Sequence, residues 1–360
     1  MGFKLLRLIC KVGRFVASAP SSVQAKHEST CQKCYIVLVF IALCFGLLMT
    51  IINNNFYLND IQMKMLVSYL TEFNLFAFSV YTILVINFWK RGTWCQLMEH
   101  LLVIKKRTQK SATKNKKRPY YLGFVLIHVV YIFAEVYISY SWSIPHGWKS
   151  YFKKFNVRLI QLYLQMFQKL LIYAILSTLL VRYKRINVLL TSKISRNISI
   201  VFLRRNVKTL CRLKKTIDIF VELYGLPIAL IVLFTTFEML NYILFALYYE
   251  GNISFANNIF LAVLRLAPTI VGTSTILVMC DSISDESNKI RSLMYEISCM
   301  AENLTTKEEQ ELFELIEYVE ENVPIFSAAG YFIIGKATIL NIAATVVNFL
   351  IVVLQVTNKI

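Results

Sequence analysis

Seven polar or charged side chains sit inside stretches that are otherwise apolar: Glu72, Asn74, Glu135, Glu238, Arg265, Lys336 and Asn341. An ionisable group in such surroundings is costly, so it faces a partner, the bundle interior or a water-filled cavity. The chemistry open to these residues is hydrogen bonding and charge pairing, either as structural links or around a polar cavity. Carboxylates and a guanidinium hold a polar guest or each other. The aromatic residues Tyr131, Tyr137, Tyr140, Trp142, Tyr163, Tyr224 and Phe237 are candidate walls of a polar cavity in the upper bundle. A further amide, Gln355, lies almost at the end of the last apolar run, Gly335–Val356, ahead of the short tail Thr357–Ile360.

No catalytic set accompanies these residues. The chain has no HExxH, no GxSxG, no phosphate loop with a lysine and no paired intramembrane aspartates, so an enzyme is not expected. Cys31 and Cys34 resemble half a zinc knuckle, but a second CxxC is missing and the four histidines are scattered. Neither a metal site nor a cofactor is expected. The eight cysteines form no disulfide framework. Cys10, Cys31 and Cys34 fall on the reducing side, where plain thiols are expected and acylation is the alternative.

The elements that must position these groups are membrane spans. Of 360 residues, 57% are hydrophobic and only 17% charged, with a mean hydropathy of +0.55. The apolar residues gather in runs of about 20, which a bilayer requires and a soluble core does not. Seven candidate spans follow: Cys34–Ile52, Leu66–Phe88, Tyr121–Ile144, Leu159–Val181, Leu223–Tyr248, Ile259–Cys280 and Gly335–Val356. The fourth is the weakest, interrupted by Gln161, Gln165, Gln168 and Lys169. Helices pair all their backbone groups internally, and no dyad alternation suggests a membrane barrel. The expected fold is all-α and polytopic, with seven transmembrane helices.

Charge orients the bundle. Residues 1–33 carry six Lys or Arg, 90–118 carry ten and 182–215 carry eleven. The first outer connection has only Lys64 and residues 249–258 have none; the third is the exception, with Lys149, Lys153, Lys154 and Arg158. The bias puts the N-terminus in the cytoplasm and, after seven spans, the C-terminus outside. The net charge of +18 follows from this orientation, with membrane lipid as the counter-charge and no nucleic-acid partner. Asn252, in the sequon Asn252-Ile253-Ser254, then lies outside as a candidate glycosylation site. Met1–Val16 reads as a basic amphipathic helix on the inner leaflet or as an ordinary basic tail.

The expected organisation has seven parts. Residues 1–33 are a cytoplasmic N-terminal segment, 34–181 spans one to four, and 182–222 a cytoplasmic basic helical segment. Residues 223–280 form spans five and six, 281–334 a cytoplasmic acidic helical segment, 335–356 the last span and 357–360 an extracellular tail. The basic and acidic segments both keep apolar stripes, so they are expected to pack as a helical base. Thr306 followed by Glu309 resembles a capping box opening the acidic helix, and Pro324 ends it.

The C-terminal region carries a resemblance. From Ala328-Ala329-Gly330-Tyr331 through the last span, the chain resembles the insect gustatory receptors of the seven-helix chemoreceptor superfamily. Members end with Thr-Tyr, five apolar residues and Gln-Phe. Here Asn348 takes the Thr position, Phe349 the Tyr position, Gln355 is retained and Val356 replaces the Phe. The resemblance extends over length, seven spans and the inside N-terminus. It implies a plasma-membrane subunit of gustatory neurons, assembled as a homo- or heterotetramer with other gustatory receptors. The implied activity is a tastant-gated, non-selective channel for monovalent and divalent cations, with a bitter or other contact cue as the ligand. The implied pore and gate residues are Asn348, Phe349, Val352, Val353 and Gln355. Tyr131, Glu135, Tyr137, Tyr163, Phe237, Glu238 and Arg265 are then candidates for the ligand pocket. A G-protein-coupled seven-helix receptor, which needs an outside N-terminus, and a transporter are the alternatives.

Overall fold

The computed structural model describes residues 3–20, 30–52, 62–108, 118–194, 199–248, 255–300 and 305–356. They form ten α-helices: α1 (Phe3–Phe15), α2 (Thr30–Ile52), α3 (Gln62–Val80), α4 (Arg91–Thr108), α5 (Arg118–His146), α6 (Trp148–Ile194), α7 (Ile200–Tyr248), α8 (Phe255–Cys299), α9 (Thr306–Glu321) and α10 (Lys336–Val356). A π-helical stretch, Tyr81–Trp89, continues α3. Seven of these segments are long and apolar enough to cross a membrane, and they coincide with the seven expected spans, the polar-interrupted fourth included. The chain is an all-α, seven-span membrane protein.

Exposure on the spans is a lipid signature. α2 presents Leu38, Ile41, Phe45 and Leu48, and α5 presents Leu122, Val125, Val129, Phe133 and Val136. Water would not tolerate such continuous apolar faces, whereas acyl chains match them. On its other side α2 meets α6 so closely that a Cβ on Gly46 would lie 2.0 Å from Val157 Cγ2. Gly46→Ala is therefore expected to cost about 1–3 kcal/mol through overpacking. Thermal unfolding in detergent checks this, and adding Val157→Ala should restore part of the loss.

α6, α7 and α8 have 47, 49 and 45 residues. At 1.5 Å per residue each is about 70 Å long, more than twice the hydrocarbon thickness of about 30 Å. Apart from residues 195–198, which lie outside the described residues, the basic segment 182–222 falls mostly in the end of α6 and the start of α7. α6 contains no proline, while Pro227 interrupts α7 and Pro268 interrupts α8. One core runs along all three, including Phe167, Leu171 and Ile175 of α6, Phe220, Leu223 and Tyr224 of α7, and Ile276, Leu277 and Ile283 of α8. α9 joins it through Leu312, Ile316 and Val319. The ion pair of Arg204 with Glu311 sits outside this stripe, on a side chain that is 62% exposed. Apolar contact therefore carries the base, since an exposed pair contributes little.

The cap of α9 lies one residue earlier than the sequence suggests. Thr305 accepts the Glu308 N–H, and the Glu308 carboxylate accepts the Thr305 N–H. Adjacent threonines each precede a glutamate by three residues, and the helix begins after the first of them. Thr305→Ala is expected to cost about 1 kcal/mol of α9 stability. Side-chain and backbone hydrogen bonds from Thr305 hold the Glu308 carboxyl below its usual range. A depressed folded pKa contributes stability above the ordinary carboxylate value and loses it as pH falls through the lower one. Amide exchange in α9 should show the Thr305→Ala difference at neutral pH, and that difference should shrink on acidification.

The second half of α1 packs against the bundle. Ile9 and Cys10 are buried in the main core, Gly13 abuts Phe167 of α6, and Lys11 and Arg14 are exposed. Its following turn is received by polar side chains. Asn87 Nδ2 donates to the Ala17 carbonyl at 2.8 Å, and Gln168 Nε2 donates to the Ser18 carbonyl at 2.6 Å. An amphipathic helix serves a protein groove as well as a membrane surface, and here the bundle supplies the apolar partner.

Candidate functional site

Five helices direct charge into the bundle. Arg158 of α6 donates through Nη1 to Glu72 of α3 at 2.6 Å and through Nη2 to Glu238 of α7. Arg265 of α8 donates to Glu135 of α5 at 2.9 Å. Lys169, one helical line below Arg158 on α6, is buried and donates to the Thr269 carbonyl of α8 at 3.4 Å. Three carboxylates therefore share the interior with two paired guanidinium groups and the Lys169 amine. Around them Asn241 of α7 links Thr71 and Ser68 of α3, and Thr235 of α7 meets Thr273 of α8 at 2.8 Å. Both amide atoms of Gln161, the Nε2 of Gln165 and the Oδ1 of Asn74 are buried without a hydrogen-bond partner. Buried amides left so are expensive, and they invite water or a guest.

The expected pocket residues distribute as follows. Tyr131 and Tyr163 have ring centroids 6.3 Å apart, and His128 stands 6.0 Å from Tyr163. Tyr137 meets Phe260 edge to face at 5.7 Å. Glu135, Arg265 and Glu238 belong to the ion pairs just described. Phe237 instead packs with Val67, Leu240, Leu244, Val346 and Val353, the contact that seats α10. Arg158, which the sequence groups with the cations of the third connection, lies within α6, and Glu72 and Glu238 are the partners that call for it. Asn252 lies outside the described residues. Among the described residues no three His, Cys, Asp or Glu side chains gather as a metal site.

α10 has two unlike faces. One packs through Thr338, Val346 and Val353, with Ile342 and Phe349 partly buried beside them. The other is exposed and includes Asn341, Thr345, Asn348, Val352 and Gln355. The three amides recur every seven residues, which keeps them on a single line along the helix. The five expected pore residues thus divide: Asn348, Val352 and Gln355 on the exposed line, Phe349 and Val353 against α7. At its start α10 is tied down, because Lys336 pairs with Asp281 at 2.8 Å and Asp285 at 3.5 Å on α8. The turn just before it, Ser327–Ile333, presses on α7 so tightly that a Cβ on Gly225 would stand 2.8 Å from the Ala329 nitrogen.

Seven spans, a charge-paired interior and a last helix with an exposed amide line define a multi-pass membrane protein. A family model described as the 7tm chemosensory receptor matches residues 6–358. The chain belongs to that family, whose members are plasma-membrane receptors and not catalysts. A search of curated proteins finds no match. Among solved structures, the insect olfactory receptor OR5 from Machilis hrabei is similar at a TM-score of 0.67 and 11% identity, over 98% of each chain. The same receptor in complex with eugenol gives 0.65 and 10%, again over 98% of each chain. At such identities the likeness is one of fold.

Proposed function

We propose that this chain is a gustatory receptor subunit forming a tastant-gated, non-selective cation channel, assembled as a tetramer around α10. One observation carries the reading: the line Asn341, Asn348 and Gln355 on the exposed face of a largely apolar helix. The line is about 21 Å long at 1.5 Å per residue, a large part of the hydrocarbon thickness. Facing lipid, three amides would forfeit hydrogen bonds to water. Facing a four-fold axis they form three stacked rings of oxygen dipoles, which lower the cost of a cation's dehydration without binding it tightly. Val352 adds an apolar ring between the upper two, where dewetting closes the path.

The ligand then occupies the interior among α5, α6, α7 and α8, against Tyr131, Tyr137 and Tyr163. Glu72, Glu135 and Glu238 each already hold a guanidinium, so the site suits an uncharged organic contact cue, such as a bitter compound. α7 would connect ligand to pore: Glu238 belongs to the ion pairs while its neighbour Phe237 packs against the cluster that includes Val346 and Val353 of α10. Binding opens the channel when the open arrangement holds the ligand more tightly. The N-terminus is cytoplasmic and the C-terminus outside.

The test is current recording from cells expressing the chain alone and with partner gustatory receptors during a screen of bitter compounds. Ligand-evoked cation current is expected, together with an N-terminal tag that is inaccessible on intact cells. Saturable ligand uptake without current, or an N-terminal tag exposed outside, would overturn the reading.

A further inference from the structure

Cys31 and Cys34 stand in the first turns of α2, and both are exposed, whereas Gln32 and Ile36 of the same turns are buried. The helical line through the two thiols continues through Leu38, Ile41, Phe45 and Leu48, all exposed. That line is the lipid-facing side of the first span, so the thiols mark the level where it leaves the hydrocarbon. The opposite side is held in place. Ile36 and Leu43 pack with Val157 and Leu164 of α6, Arg14 Nε donates to Gln32 Oε1 at 3.0 Å, and the Tyr35 hydroxyl donates to the Phe15 carbonyl. Exposed Arg14, bonded to Gln32, and exposed Lys33 lie beside the pair, and on the proposed orientation they would meet anionic headgroups.

We infer that Cys31 and Cys34 are S-acylation sites whose long-chain acyl groups lie along the Leu38–Ile41 side of the first span. The inference rests on the cytoplasmic N-terminus proposed above, because the acyl donor, a long-chain acyl-coenzyme A thioester, is cytosolic. The cysteine sulfur attacks the thioester carbonyl, a new carbon–sulfur bond forms, and the bond to coenzyme A breaks. The released thiol takes up the proton that the cysteine lost, and nothing is oxidised or reduced. Juxtamembrane position together with exposure selects these two thiols, since Cys95, close to the second span, is partly buried against the core. Cys10 is enclosed in the core, and burial pushes its thiol up to about 12. Cys299 is exposed, but it closes α8 about 28 Å beyond Cys280 at 1.5 Å per residue, outside the reach of a membrane-bound acyl chain.

The experiment uses the full chain from insect-cell membranes. Free thiols are blocked with a maleimide, thioesters are cleaved with hydroxylamine, and the thiols released are tagged with a maleimide polymer that shifts the band once per site. Two hydroxylamine-dependent shifts are expected in the wild type, one in Cys31→Ser or Cys34→Ser, and none in the double variant. Cys10→Ser and Cys299→Ser should keep both. A wild type without shifts, or a double variant that retains them, overturns the inference. The wild-type result needs no variant to fold. A wild type without shifts whose N-terminal tag stays inaccessible on intact cells defeats acylation alone, while an exposed tag defeats the orientation beneath it.

Discussion

Arg158→Met is expected to reduce the stability of the receptor by about 3–5 kcal/mol, because it strands two carboxylates inside the bundle. Glu238 is the decisive partner, with only 3% of its side chain exposed against 24% for Glu72. Methionine matches the length of the arginine stem, so the loss isolates the charge from the packing. The measurement is thermal unfolding in detergent together with the fraction of protein reaching the cell surface. Adding Glu238→Gln should recover a large part of the loss, since a neutral amide no longer needs the guanidinium. Equal unfolding temperatures for Arg158→Met and wild type would mean that the bridge contributes nothing.

Gln355→Ala is expected to alter cation permeability or open probability while leaving surface abundance near wild type. Asn348→Ala should do the same from the next position down the line. Phe349→Ala and Val353→Ala are expected to behave in the opposite way, lowering abundance by loosening the contact with Leu240 and Leu244. Deleting apolar side chains from such a contact costs on the order of 2–4 kcal/mol. Reversal potentials in sodium and calcium solutions, set beside surface labelling, separate the two faces. Unchanged currents in both amide variants would remove α10 from the ion path.

What could be read from residues alone follows from the kind of constraint each feature obeys. A bilayer demands about 20 contiguous apolar residues, so seven spans were legible, even with three glutamines and Lys169 in the fourth. Partner choice is not written in that way. Phe3–Phe15 has the pattern of a lipid-bound helix, yet Ile9 and Cys10 found a protein groove. Arg158 was hidden because position along the chain, and not pairing, decided its place in a loop. The register of the α9 cap was ambiguous by one residue, since Thr305 with Glu308 and Thr306 with Glu309 offer the same chemistry. On α10 the heptad of Asn341, Asn348 and Gln355 was present in the letters, but the division between packed and exposed faces required the neighbours α7 and α8.

The three long helices also set how movement travels. A rod of about 70 Å that tilts by about 5° around its middle carries each end some 3 Å, a shift comparable to the width of a dehydrated ion. α6 lacks proline, so its hydrogen-bond ladder is complete. α7 and α8 each lose a rung of the ladder, at Pro227 and Pro268, where bending would cost least. Pro227 of α7 lies two residues from Gly225, which touches the turn leading into α10. On the function proposed above, flexing there would shift the footing of the last helix, so a ligand among α5–α8 would need only to lean on α7 beside the proline-free α6.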